Sequence, residues 1–223
     1  EQKEMTKDDY VIICGDFGIW DNSKQQRWNL SWLEERNFTT LFVDGNHSNF
    51  DMLNSYPVSE WHGGKVHFIN PSVIHLMRGQ VFNIEHKTFF TFGGARSHDI
   101  KDGVLEINDP RIKLWRKDPD KMYRINHISW WKEEMPNEEE MAEGRESLEL
   151  AGNKVDFIIT HCTASSTQAI LSGGFYESDE LTKYLESIKC SIDYKYWLFG
   201  HYHCDKSVTN KDICLFEQIA RIN

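Results

Sequence analysis

No Cys-x-x-Cys pair occurs in the chain, and no apolar run approaches the ~20 residues that span a bilayer. The first absence speaks against a structural zinc finger or a thioredoxin-like redox motif, and the second against a transmembrane helix. The five cysteines (Cys14, Cys162, Cys190, Cys204 and Cys214) are odd in number and scattered over 223 residues, unlike the dense, even set of a disulfide scaffold. Free thiols in a reducing compartment are therefore expected, and with them a cytoplasmic location. The charged start, Glu1 to Asp9, lacks the apolar core of a signal peptide. Positive charge is also short. With 25 Lys and Arg against 35 Asp and Glu, the formal net charge of −10 makes extended nucleic-acid binding unexpected. Internal repeats, low-complexity stretches and flexible linkers are missing too, so one domain covering residues 1–223 is expected.

What is present is a set of short apolar runs that stop at chemistry-bearing residues. Tyr10 to Ile13 runs into Gly15-Asp16, and Thr39 to Val43 runs into Gly45-Asn46-His47. Val155 to Thr160 meets His161-Cys162, and Tyr196 to Phe199 meets Gly200-His201-Tyr202-His203. Continuous apolar runs bounded by glycine suit strands buried on both faces. In sheets of that kind, ligands gather outside the C-terminal strand ends. Between these strands, Asn22 to Arg36 and Phe50 to Tyr56 read as helices. Val66 to Ile69, Val73 to Met77, Gln80 to Ile84 and Lys87 to Phe92 read as shorter, antiparallel strands, with Glu85-His86 as a hairpin turn. After Cys162 a polar loop containing Gly173-Gly174 leads into a helix from Ser178 to Ile188.

Residues 94–153 form a polar stretch that reads as a helical insertion. It opens with Ala95-Arg96-Ser97-His98-Asp99 and carries the bulky pair Trp130-Trp131. Asn137 followed by three glutamates is a good helix start. Either this segment walls one edge of a site, or it is a surface hairpin buried by its tryptophans. Arg96 could grip a phosphate oxygen in a bidentate manner or pair with Asp99.

Four strand ends thus offer carboxylate, amide oxygen and imidazole, a donor set suited to manganese, iron, zinc or nickel. The neighbouring thiols are rivals as ligands, but their scatter lacks paired spacing. The order Gly15-Asp16, Gly45-Asn46-His47, an isolated His161 and Gly200-His201-Tyr202-His203 resembles the calcineurin-like metallophosphoesterase superfamily, with bacterial or phage-type members as the nearest likeness. The resemblance runs through nearly the whole chain and implies a four-layer α/β/β/α fold, a β-sandwich flanked by helices. It further implies hydrolysis of phosphate monoesters or diesters at a site of two divalent metals, manganese foremost. Carried over by position, Asp16 bridges the metals, Asn46, His161 and His201 complete one shell, and His203 serves the other. His47 assists the leaving group, and Asn46, Arg96 and His98 face the substrate.

The sequence departs from the superfamily pattern in three places. No Asp-x-His precedes Asp16, and Glu1 is not a methionine, so the strand bearing that motif is expected to be lost from the chain as given. On this reading the second metal site is complete and the first is not, which keeps open a catalytically impaired binding module on the same fold. Ser48 stands where many relatives carry an acid. Ile19 stands where phosphoprotein phosphatases carry an aspartate that orients the histidine, with Asp21 as a candidate substitute.

Overall fold

In a computed structural model the chain is described over residues 4–18 and 21–222. Two mixed sheets carry the architecture. The first has the order β1-β2-β5-β4-β3, built from β1 (Tyr10–Ile13), β2 (Thr39–Phe42), β3 (Val58–Trp61), β4 (Gly64–Asn70) and β5 (Val73–Leu76). The second has the order β12-β13-β11-β10-β7-β6. Its strands are β6 (Gln80–Ile84), β7 (Lys87–Phe92), β10 (Lys154–Thr160), β11 (Asp193–Phe199), β12 (Lys206–Ser207) and β13 (Asp212–Cys214). A small parallel pair, β8 (Gly103–Leu105) with β9 (Tyr123–Ile125), stands apart from both.

Side-chain alternation along the strands sorts the core into layers. Leu41, Val66, Ile74 and Leu76 from the first sheet meet Phe82, Phe89, Phe157, Ile159 and Leu198 from the second, forming the filling of a sandwich. The alternate residues face outward and are covered by helices. Phe42 and Val73 pack with Phe50 and Leu53 of α2 (Phe50–Leu53), and with Leu30 and Leu33 of α1 (Lys24–Glu34). Phe90, Ile158, Trp197 and Phe199 pack under α4 (Glu138–Leu150) and α6 (Glu180–Ser191). The result is the layered α/β sandwich flanked by helices that the sequence led us to expect.

Several elements follow local rules closely. Asn137 and Glu140 form a reciprocal capping box at the start of α4, and Asp179 with Thr182 does the same for α6. Glu85 and His86, both at positive φ, turn β6 into β7. Between β5 and β6 the chain changes sheet at Arg78-Gly79, so those two consecutive strands do not pair. Of the 94–153 segment, α4 buries Met141, Gly144 and Leu148 against the second sheet, and Trp131 is buried on the outer face of the first.

Gly144 allows α4 to sit this close. A Cβ there would meet the Tyr184 hydroxyl at 2.3 Å and the Gly79 Cα at 3.3 Å. Alanine is the better helix former by about 1 kcal/mol, but overpacking a core contact costs about 1–3 kcal/mol. Gly144→Ala is therefore expected to lower stability in urea unfolding, against the direction that helix propensity alone gives.

Candidate active site

Parallel pairing of β1 with β2, of β2 with β5, and of β7, β10, β11 and β13 in the other sheet points the C-terminal ends of these strands the same way. Asp16 follows β1, Asn46 and His47 follow β2, Ser97 and His98 follow β7, His161 follows β10, and His201 follows β11. The strand ends approach closely because two positions lack a side chain. A Cβ on Gly15 would lie 2.1 Å from His161 Nδ1, and one on Gly45 would lie 2.1 Å from Asp16 Oδ1. Asp16, His201 and His203 themselves take positive φ (50°, 67° and 49°), a conformation uncommon outside glycine but entered by Asp and His more readily than by most residues.

His161 lies at the centre of the cluster and is 2% exposed. Its Nδ1 lies 2.8 Å from the Cys14 carbonyl oxygen, which can only accept, so the Nδ1 proton is committed there. Its Nε2 lies 3.3 Å from Asp16 Oδ2 and 3.2 Å from Asn46 Oδ1. The Asn46 amide is fixed in that sense by a relay. Ser97 Oγ donates to Glu134 Oε2 at 2.6 Å, so it can only accept from Asn46 Nδ2, at 3.3 Å. Ser97 N–H also donates to Glu134 Oε1, at 3.0 Å. With Nδ1 carrying its proton, three lone-pair atoms therefore face one another: an imidazole nitrogen, a carboxylate oxygen and an amide oxygen. Only a cation among them, a proton on Nε2 or a metal ion, makes that arrangement attractive.

Burial opposes the charge on Asp16. The hydrogen bond and positive charge offered by His161, with the His47 N–H donating at 3.1 Å, override it and hold the carboxyl down at about 2. Burial pushes His47 below the ordinary imidazole value, and pushes His201 well below it, with His161 and His98 adding to the effect on His201. His201 Nε2 lies 3.2 Å from His98 Nε2, so at least one of these rings is neutral and accepts.

The structure thus gathers Asp16, Asn46, His47, His98, His161 and His201. His203 makes no hydrogen bond or ion pair to this group among the described residues; its ring stacks on Phe216 at 4.9 Å. Among the described residues no three His, Cys, Asp or Glu side chains stand as a group able to hold one ion. The third acceptor around His161 is an asparagine, and the imidazoles of His98 and His201 are turned toward each other. The chemistry of the donor set still fits a divalent cation. Arg96 is exposed, and the pairing with Asp99 does not form, because Asp99 is bound to Arg124. Asp21 accepts the Ser23 N–H at 2.9 Å beside the start of α1. Ile19 lies outside the described residues. Ser48 is buried and accepts the Gly45 N–H, which fixes the loop rather than leaving a gap where an acid was expected.

Sequence reading missed Ser97 and Glu134. Thirty-seven positions separate them, and Glu134 follows Lys132 and Glu133 in a charged triplet that reads as solvent-facing, although it is 2% exposed. Positioning partners of this type typically contribute 10–100-fold to metal affinity or activity. Ser97→Ala is expected to lower kcat/KM by roughly that factor with little change in the midpoint of thermal unfolding, measured side by side on the same preparation.

Comparison with curated proteins gives no match. The family model for calcineurin-like phosphoesterases matches residues 2–205, which takes in the strand ends that carry Asp16, Asn46, His161 and His201. No helix among the described residues is long and apolar enough to cross a membrane. With the match extending over most of its length, the chain belongs to the calcineurin-like phosphoesterase family, whose activity is the hydrolysis of phosphate esters.

Proposed function

We propose that this chain hydrolyses phosphate monoesters or diesters at a two-metal site built on Asp16, with Asn46, His161 and His201 completing the shell of the second ion and His203 serving the first. The supporting observation is the meeting of His161 Nε2, Asp16 Oδ2 and Asn46 Oδ1 with the His161 Nδ1 proton already committed to Cys14. When bound, a pair of divalent transition ions, manganese foremost, acidifies a water and neutralises charge on the phosphoryl oxygens. The protein's own residues do the rest. The Cys14 carbonyl holds the His161 ring in the tautomer that presents Nε2. Glu134, through Ser97, keeps the Asn46 oxygen turned inward. His47, whose Nε2 accepts from Asn46 Nδ2 at 3.3 Å, assists the leaving oxygen. Arg96, exposed and without an ion-pair partner among the described residues, supplies a guanidinium to a phosphate oxygen.

Turnover of p-nitrophenyl phosphate and bis-p-nitrophenyl phosphate with added manganese tests this reading and separates monoester from diester preference. Metal-dependent release of p-nitrophenol from at least one is expected; none from either would remove it. The placing of His203 against Phe216, away from the cluster, favours a second reading, a module on the same fold that binds a phosphate ester without cleaving it. Two manganese ions per chain at saturation support the enzyme, and a single ion with no turnover supports the module.

A further inference from the structure

We infer that the preferred substrates carry a flat aromatic group, a nucleobase or a phenol ring, next to the scissile phosphate, and that Phe175 and Tyr176 receive it. This inference rests on the phosphoesterase reading above and adds the substrate class.

A continuous row of rings leads out of the site. His201 meets His98 at 5.2 Å between ring centroids, His98 stacks on Tyr176 at 5.3 Å with planes 23° apart, and Tyr176 meets Phe175 edge-on at 5.6 Å. Tyr202, which packs against His201 at 5.1 Å, closes on Tyr176 at 5.9 Å and supports it from behind. The row ends in water: Tyr176 is 38% exposed and Phe175 is 83% exposed. The segment that presents them is held in place. It follows α5 (Ser165–Ser172), where Gly173 and Gly174 take left-handed φ of 63° and 84° and Gly174 N–H returns to the Ala169 carbonyl at 2.9 Å. Phe175 N–H and Tyr176 N–H both turn back to Ser172.

Two properties identify the occupant. Between Ser172 and Glu180 the exposed apolar side chains are Phe175 and Tyr176, both aromatic, and flat rings select flat partners, because offset stacking sets the negative face of one ring over the positive edge of the other. From Ser172 to Glu180 the segment also carries Glu177, Asp179 and Glu180 and no Lys or Arg. It therefore offers nothing to a second phosphate and favours a group without negative charge. His201 is two ring contacts from Tyr176, by way of His98, so the row starts at the cluster that would hold the phosphate.

The test compares adenosine 5′-monophosphate, phenyl phosphate and glycerol 2-phosphate as substrates of the full chain with manganese. Phe175→Ala is expected to lower the ratio of kcat/KM for adenosine 5′-monophosphate over glycerol 2-phosphate by about tenfold, through KM, as lost stacking dictates. Phe175→Trp is expected to restore the ratio. A parallel fall for phenyl phosphate extends the platform to phenol esters, and a fall for adenosine 5′-monophosphate alone assigns it to nucleobases. Leu150→Ala, which removes an equally exposed apolar residue at the end of α4, is the control and leaves the ratio unchanged. A ratio unmoved by Phe175→Ala overturns the inference. If no ester is turned over, the phosphoesterase reading has failed, and calorimetric binding of adenosine 5′-monophosphate then decides: weaker binding by Phe175→Ala keeps the platform, and equal binding by both proteins overturns it.

Discussion

Asp16→Asn is expected to lower kcat/KM for p-nitrophenyl phosphate by about a thousandfold or more, the range of losing a central electrostatic group, while leaving the chain folded and at most slightly less stable. The substitution keeps shape and removes charge. Asparagine is among the residues that best tolerate a φ of 50°. Its oxygen can still accept the His47 N–H that Asp16 Oδ1 accepts now. Its NH₂ would take the place of Oδ2 and donate to the neutral His161 Nε2, so the contact survives without the charge. Activity is therefore lost without a matching loss of folded protein. Circular dichroism and a thermal scan beside the kinetics check both halves. A parallel loss of activity and of folded protein would show instead that Asp16 is structural.

The largest effect on stability is expected from Arg78→Met. Arg78 is buried where the chain leaves β5 for the second sheet, and its guanidinium binds Asp44 Oδ2 at 2.6 Å, Glu140 at 3.2 Å and the Glu133 carbonyl at 2.7 Å. Asp44, 1% exposed, also contacts His75 Nε2 at 3.2 Å. Burial would raise the Asp44 carboxyl, but the Arg78 charge and the His75 contact hold it well below the usual carboxylate range. A Cβ on Gly93 would fall 2.3 Å from the Asp44 carboxylate, so the pair is tightly enclosed. Removing one partner of such a pair typically costs about 3–5 kcal/mol, because the other charge is left buried and unpaired. For a chain of this length that corresponds to a fall in Tm of roughly 6–20 °C. The Asp44→Asn/Arg78→Met double variant is expected to recover part of the loss, with a coupling of about 1–3 kcal/mol in the cycle. Full additivity of the two single changes would show that the pair is not the source. Asp44 lies two residues before Asn46 and its carbonyl accepts the Gly94 N–H, so this network also ties the β2 and β7 loops together beneath the site.

What could be read in the sequence was what local chemistry signals. The apolar runs ending in Gly15-Asp16, Gly45-Asn46-His47, His161 and Gly200-His201 gave the strands of the sandwich and the residues gathered at their ends. The α4 cap was legible in Asn137 and its glutamates, and the β6–β7 turn in Glu85-His86. Boundaries shifted by a few residues; β11 begins at Asp193 rather than at Tyr196, for instance. Elements without a local signal went unseen. β3, Val58–Trp61, alternates exposed and half-buried residues on a sheet edge, so it has no apolar run. α5 lies in a segment that reads as a polar loop because its Ser, Thr and Gln suit turns as readily as helices. In the site, the missing pieces were pairings across long sequence separation. Ser97 with Glu134 and Asp44 with Arg78 are contacts that only the folded chain brings about. The placing of His203 against Phe216 depends likewise on where the segment after β13 returns.

The measurement that bears most directly on the central claim is manganese binding to the metal-free chain, followed by calorimetry for the wild type, Asp16→Asn and His161→Gln. Saturable binding by the wild type is predicted, weakened at least tenfold in each variant, since both alter acceptors that face one another around His161. Equal uptake of manganese by all three proteins would contradict the assignment of these residues to a metal site.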